Sequence, residues 1–169
     1  MGVRIKYSSK SDDLPSMKRR LDSINGTGVE VGVLKGEHAW LAGIHEYGCS
    51  ITVTEKMRAF LHGQGLHLKK STTAITIPER SFLRTGFDKN RDAVVEKAGK
   101  MVADVAQGNM SASALYSGVG LELSNKIKDY AVGLNSPGNH SFTVARKGGS
   151  NPLVESGDMI NGITWRKSE

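Results

Sequence analysis

Apolar and polar residues alternate in six short segments, and this period-2 spacing predicts β-strands. The alternation is clearest at the start of the chain, where Val3, Ile5 and Tyr7 are separated by polar residues. The predicted strands are residues 1–8, 27–34, 51–53, 75–77, 142–144 and 163–165. Pro78 has no backbone N–H to donate, so the strand before it is expected to end there or to lie at a sheet edge.

Apolar residues recur every three or four positions in the remaining segments, which predicts amphipathic helices. Residues 14–24 begin after two aspartates, and residues 37–47 end at Gly48. Residues 57–61 can form one amphipathic turn. Two longer helices are predicted at residues 88–107 and 113–134, and their short connection favours an antiparallel hairpin. Thr85 and Asp88 match a capping box, so Gly86 is expected to mark a kink or the true helix start.

This order of elements predicts an α+β fold in which a small mixed or antiparallel sheet packs against the long helical hairpin. The first and last strands are expected to share one sheet. With 169 residues, no internal repeat and no long linker, residues 1–169 are predicted to form a single domain.

The net charge of +6 is concentrated in one part of the chain. Residues 55–91 contain eight lysines and arginines and three acids, a net charge of +5. Such a segment indicates a polyanionic or acidic partner, or simply a solvated face. Within it, the stretch GQGLHLKKSTT is polar and interrupted by glycine, so a protruding basic arm is predicted at residues 55–76.

Composition excludes several classes of function. The single cysteine, Cys49, cannot form an internal disulfide and provides no CxxC metal site. No run of about 18 apolar residues predicts a membrane span, and the N-terminus lacks the apolar region of a secretory signal. GxSxG and GxxxxGK[ST] are both absent, so no catalytic residue and no cofactor is predicted.

The segment His45–Cys49, HEYGC, comes close to the zinc-protease motif H-E-x-x-H. That motif requires a second histidine one helical turn after the first. Here the position holds a cysteine, and it follows a glycine that is expected to end the helix. The preferred interpretation is a helix C-terminus with Tyr47 packed and Gly48 as the cap. A hydrolase built around His45 and Glu46 is the weakest of the alternatives.

Other short patterns also favour structural interpretations. His62 and His67 lack an accompanying cysteine pair and are expected to be solvated loop residues. The GxG pairs at residues 63–65 and 118–120 lack the third glycine of a phosphate-binding loop. Phe60 and Phe82 lie beside arginines and could stack on bases, but both are more typical of core residues.

Four segments, in order, resemble phage tail-completion and virion-morphogenesis proteins. They are AGIHEYG at residues 42–48, VTEKMR at 53–58, IPERSFLR at 77–84 and NPLVESGDM at 151–159, the last followed by Ile163, Thr164 and Trp165. The similarity extends over about residues 29–167, and residues 1–28 carry no such signature. Ser156 stands where threonine is usual in the family, and Ser81 where proline is common.

The resemblance implies a structural virion protein without catalytic residues. Members of this family form rings, usually hexamers, at the head-tail junction, where they close the tail tube or join it to the connector. It therefore implies a homo-oligomer located in the virion, assembled in the cytoplasm of a bacterial host, and in contact with connector, neck or tail-tube proteins. Non-specific contact with passing DNA is a further expectation, and membrane contact is not expected.

The segment IPERSFLR also has the composition of a docking corner. Pro78 is predicted to stop the strand, Glu79 to lie in the first helical turn, and Arg80 and Arg84 to share a helix face. In the arm, Leu66 and Leu68 are expected to be buried by a partner and Lys69 and Lys70 to meet its carboxylates. The predicted interface residues are Arg58, Leu66, Leu68, Lys69, Lys70, Arg80, Phe82 and Arg84. The alternative function is a basic nucleic-acid-binding protein.

Overall fold

The computed structural model describes residues 13–34 and 36–168. Within these residues the chain forms seven helices and four strands, which confirms the predicted α+β class. The elements are α1 Leu14–Asp22, β1 Gly28–Val33, α2 Glu37–Tyr47, β2 Cys49–Thr52, α3 Glu55–Gly63, β3 Ala74–Ile77, α4 Phe82–Gln107, α5 Ala112–Gly133, α6 Ser141–Lys147, α7 Asp158–Asn161 and β4 Ile163–Ser168.

The helices α4 and α5 form the predicted hairpin. Gly108 ends α4 in the left-handed conformation, with φ of 83°, and the Ser111 hydroxyl accepts the N–H of Ala114 to cap α5. The start of α4 differs from the prediction. Thr85 lies inside its first turns and its hydroxyl bonds that of Ser81, so the capping-box interpretation is wrong. Gly86 is not the start of α4 but a buried position within it, where a Cβ would lie 3.2 Å from the Tyr130 ring.

A two-stranded antiparallel sheet packs against α5. In it β1 pairs with β4, and Val31 lies opposite Trp165. The strands predicted at residues 27–34 and 163–165 are thus confirmed, whereas the strand predicted at residues 1–8 lies outside the described residues. Close packing explains both glycines of the pair at residues 118–120: Gly120 faces the sheet and Gly118 faces α4. A Cβ at Gly120 would overlap the Trp165 ring, and one at Gly118 would overlap the Met101 side chain.

A second antiparallel pair joins β2 to β3, with Ile51 opposite Ile75. The chain between them contains α3, whose Thr54 hydroxyl accepts the N–H of Met57 at the helix start. The strand predicted at residues 142–144 is wrong, because this segment forms α6. Two alternating apolar residues fit one turn of helix as well as a strand, and Arg146 and Lys147 suit the negative end of a helix dipole.

The main core lies between the hairpin, α2, α7 and the β1–β4 sheet. Phe82, Ile127 and Ile163 are almost completely buried there, together with Leu153, Met159 and Ile160. A smaller cluster forms around Val105, Leu115 and Tyr116 near the turn of the hairpin. None of the described helices combines the length and the apolar character needed to cross a membrane.

Candidate functional site

The C-terminus of α2 lies directly against the chain that leads into α4, residues 78–81, which we call the elbow. Gly48 ends α2 with φ of 68°. A Cβ on this glycine would lie 2.8 Å from the Glu79 nitrogen and 2.9 Å from the Ile77 carbonyl oxygen. Pairing of β2 with β3 sets Cys49 opposite Ile77 and so holds the approach in place. The predicted cap at Gly48 is confirmed, and the contact explains why no larger residue fits.

Glu46, one residue before Tyr47, points into this contact and is only 2% exposed. Its carboxylate accepts the backbone N–H groups of Leu83 at 2.8 Å and Arg84 at 3.0 Å. These groups have no partner within their own helix, and the local N-cap, Ser81, makes no side-chain cap bond. Glu46 therefore caps α4 from another helix, at the end where the dipole favours negative charge.

Arg84 completes the contact from α4. Its Nε donates to the Glu46 carboxylate at 2.9 Å, and its Nη2 donates to the Glu46 carbonyl at 3.0 Å and to Glu79 at 2.6 Å. These bonds, led by that to Glu46, raise the pKa of the guanidinium above its usual value. The guanidinium also lies 4.7 Å from the centre of the Tyr47 ring. Glu79 precedes α4 rather than lying in its first turn, so that prediction is wrong.

Arg80 is buried, in contrast to its predicted interface role. Its Nε donates to the Pro137 carbonyl at 2.7 Å, and its Nη2 donates to the Gly138 carbonyl and to Asn139. The guanidinium thus fixes the turn after α5 against the elbow, and burial lowers its pKa. Phe82 is also inside the chain, with 0% exposure. Neither side chain is on the surface, so both are removed from the predicted interface.

The Nδ1 atom of His45 accepts a hydrogen bond from Nη1 of Arg80 at 3.0 Å. Burial, followed by the charges of Arg80 and Lys147, lowers the pKa of His45 to about 4. The ring is therefore neutral at neutral pH and can accept this hydrogen bond. Lys147 donates to the carbonyls of Asn151 and Val154, and burial lowers its pKa. We call the set Glu46, Arg84, Arg80 and His45 the polar lock.

The segment at residues 151–160 supports the same region. Asn151 accepts the N–H groups of Leu153 and Val154 and donates to the Val132 carbonyl on α5. The buried residues that follow, Met159 and Ile160, belong to α7, which packs on α2. Three of the four segments that carry the family resemblance therefore meet around the C-terminus of α2.

The polar lock does not resemble a metal or hydrolytic site. Across residues 13–34 and 36–168, no group of three or more His, Cys, Asp or Glu side chains is placed to hold a metal ion. The Glu46 carboxylate accepts from two backbone N–H groups and one guanidinium, and the Nδ1 of His45 accepts from Arg80, so both side chains are engaged in contacts within the domain. The chemistry of this arrangement is that of holding helices together.

Several large apolar side chains nearby are exposed to solvent. Trp40 is 73% exposed and Tyr47 67% exposed, two turns apart on one face of α2, and Phe60 on α3 is 61% exposed. We call these three residues the aromatic surface residues. Tyr47 is thus not packed in the core and Phe60 is not a core residue, contrary to the expectation for both.

The basic arm, residues 55–76, begins with α3, and the loop that follows this helix folds back on it. Arg58 donates to the carbonyls of Leu68, Lys69 and Thr72 at 2.8–3.3 Å, so its guanidinium is used within the arm rather than offered to a partner. Leu66 and Leu68 are already half-buried, while Lys69 and Lys70 are exposed. His62 and His67 are exposed as expected, with ring centres 4.4 Å apart.

Sequence reasoning missed the roles of His45 and Asn139 because their partner, Arg80, is remote in the chain. It also missed Lys147, whose partners are backbone carbonyls that no sequence motif marks. One signal was available for Glu46. It lies in the last turn of α2, where the helix dipole disfavours a negative charge, so a carboxylate there indicates a partner outside its own helix.

Comparisons of this chain with protein-family models, with curated proteins and with solved structures find no match. The function is therefore argued from the sequence segments and from the geometry described above.

Proposed function

We propose that this protein is a structural component of a tailed-phage virion. In this proposal it assembles into a ring, with six copies as the expected number, at the head-tail junction and closes the tail tube or joins it to the connector. The observation that carries the proposal is that the polar lock joins two family-like segments, residues 42–48 and 77–84, and that α7 of a third, residues 151–159, packs on α2 as well. Such a lock positions α2, whose outer face displays Trp40 and Tyr47.

The exposed side chains support an assembly role. Aromatic residues and arginine are enriched at protein interfaces, and contiguous exposed apolar surface marks interaction sites. Trp40, Tyr47 and Phe60 are each more than 60% exposed, so burying their rings against another molecule would be favourable. Next along the chain, Lys69 and Lys70 can meet carboxylates on a neighbouring copy or on a connector or tube protein.

The expected partners are further copies of the chain and the neighbouring proteins of the neck and tail tube. Catalysis is not part of the proposal, because the charged groups of the polar lock are bonded to one another or to the backbone. DNA passing through the ring is a lesser expected contact of Lys69 and Lys70.

Native mass spectrometry and negative-stain images of the full chain test the proposal. We expect a ring from the wild-type protein, and loss of the ring from the double variant Trp40→Ser, Phe60→Ser with little change in melting temperature; Tyr47 is left in place because its ring contacts Arg84. Val132→Ser is the matched control, because Val132 is also an exposed apolar residue, at 53%, but lies on α5. A wild-type protein that stays monomeric at high concentration, alone and with phage connector protein, would overturn the proposal.

The alternative, a nucleic-acid-binding protein, is favoured by one observation, the exposed Lys69 and Lys70 within a segment of net charge +5. If duplex DNA is the target, binding should fall steeply with salt, because released counterions drive it. Lys69→Glu with Lys70→Glu should then weaken DNA binding, whereas Leu66→Ser with Leu68→Ser should not. If a protein is the target, both double variants should weaken ring formation or docking.

A further inference from the structure

Two histidines meet at the end of α3, within the basic arm. The imidazole rings of His62 and His67 have their centres 4.4 Å apart, with an angle of 70° between the ring planes. Both residues are exposed. Among the residues that the structure describes, neither ring takes part in a hydrogen bond or an ion pair. The ring nitrogens are therefore available to a ligand from solution.

The backbone turn that ends α3 brings the two rings together. Gly65 has φ of 88°, a left-handed conformation that glycine adopts without strain. Its N–H donates to the His62 carbonyl at 3.0 Å. The next N–H, that of Leu66, donates to the Leu61 carbonyl at 2.8 Å. These two bonds form a Schellman motif, which reverses the chain after a helix, so that His67 returns to the last turn of α3.

Arg58 holds the other side of the loop against α3. Its guanidinium donates to the carbonyls of Leu68 and Lys69, the two residues that follow His67, and to that of Thr72. Hydrogen bonds thus fix the backbone on both sides of the histidine pair. The two rings are brought together by the fold itself, so a ligand that contacts both has little ordering cost to overcome.

We propose that His62 and His67 form a two-ligand site for a divalent transition-metal ion such as Zn²⁺, Ni²⁺ or Cu²⁺. Neutral imidazole is a preferred ligand of these ions. Two imidazole nitrogens about 2.1 Å from one ion, at a right angle to each other, place the ring centres about 4.5 Å apart. The distance of 4.4 Å between the two rings is close to this value. The outer torsion of a histidine side chain is broad, so both nitrogens can turn towards one ion at small cost.

The number and type of ligands determine which ions fit. Two protein ligands leave the remaining coordination positions to water, so the site is an open one. Mg²⁺ and Ca²⁺ prefer oxygen ligands and are not expected to bind. The exposed Lys69 and Lys70 disfavour a nearby cation, but water and salt screen their charges. We therefore expect weaker binding than at a site with three or four protein ligands.

A bound ion would fasten the loop to the helix. An ion that requires both histidines binds only the conformation in which the loop lies on α3, so it stabilises that conformation. Lys69 and Lys70 follow His67 closely and are then held in position. Both ligands come from one chain, so binding does not require ring formation.

Isothermal titration calorimetry of the full chain with Zn²⁺, and separately with Mg²⁺, tests the proposal. We expect the wild type to bind Zn²⁺ and not Mg²⁺. His62→Gln and His67→Gln should each weaken Zn²⁺ binding by about tenfold or more, because the second nitrogen of a chelate acts at a high effective concentration. His38→Gln is the matched control, since His38 is also exposed but lies on α2, and it should bind Zn²⁺ like the wild type. A wild type that does not bind Zn²⁺, or binding that survives in either variant of the pair, would overturn the proposal.

Limited digestion with trypsin measures the effect on the loop. Zn²⁺ should slow cleavage after Lys69 and Lys70 in the wild type but not in His67→Gln. Cleavage after the exposed Arg146 on α6 provides the internal control for any effect of Zn²⁺ on the protease. If Zn²⁺ slows all three cleavages of the wild type equally, or none of them, the ion does not hold the loop and the proposal is contradicted.

Discussion

The carboxylate of Glu46 lies 2.8 Å from the backbone nitrogen of Leu83, a residue 37 positions later in the chain. A carboxylate in the last turn of α2 therefore caps the first turn of α4. The two ends are joined by hydrogen bonds rather than by apolar contact alone, so the relative position of α2 and α4 is specified by direction as well as by distance.

Glu46→Ala should lower the free energy of unfolding by about 2–3 kcal/mol, because it leaves buried N–H groups of α4 without an acceptor. Glu46→Gln should have a smaller effect, since its amide oxygen can accept one of these bonds. Chemical denaturation measures both. Glu96→Ala is the control, because Glu96 pairs with Lys100 on the exposed face of α4 and its loss should change stability by less than about 0.5 kcal/mol. Equal losses for the Glu46 and Glu96 variants would contradict remote capping.

Gly48→Ala should destabilise the protein by at least about 1–3 kcal/mol, the usual cost of a strained backbone conformation. Its Cβ would also meet the backbone of residues 77–79. Gly43→Ala in the same helix is the matched control, because nothing lies within 4 Å of its added Cβ. Gly43→Ala should be neutral or stabilising by up to about 1 kcal/mol. The comparison fails if thermal unfolding ranks the two variants in the opposite order.

The low pKa of His45 predicts a loss of stability in acid. The ring takes up a proton at about pH 6.5 in the unfolded chain but only at about pH 4 in the folded one. Between these values the unfolded state binds more protons, so stability is fully present above pH 6.5 and is lost as the pH falls towards 4. Protonation would place a third positive charge beside Arg80 and Lys147.

His45→Asn removes the titrating ring and retains an acceptor for Arg80. Measured by denaturant unfolding from pH 7 to pH 4, the wild type should lose more stability than His45→Asn over this interval. Carboxylates elsewhere titrate in both proteins, so the difference isolates His45. Parallel curves for the two proteins would contradict the prediction that protonation of His45 lowers stability in acid.

Gly120→Ala should destabilise the domain because its methyl group would overlap the Trp165 ring, which must then move away from α5. Gly99→Ala on the exposed face of α4 has nothing within 4 Å of its Cβ and should stabilise by up to about 1 kcal/mol. A shift in Trp165 fluorescence in Gly120→Ala alone provides the second readout. A Gly120 variant as stable as the wild type would contradict this packing.

Local sequence patterns predicted most of the elements but few of the site contacts. The hairpin, β1, α2 and β4 have enough apolar repeats for their period to be read directly. Residues 142–144 do not, and were assigned to a strand instead of α6. The polar lock depends on pairs such as Arg80 with Pro137, 57 residues apart, whose proximity arises only when the helices pack. Local sequence patterns cannot predict contacts between residues so far apart in the chain.

The pairing of Cys49 with Ile77 has a consequence for how this chain can change over evolution. The chain between these two positions starts and ends at neighbouring points, so residues inserted or deleted within it need not move α2 or α4. Loop-closure entropy rises only slowly with length, by about 0.6 kcal/mol for each doubling. We therefore expect this segment to tolerate changes in its length, provided that Gly48 and the elbow are kept.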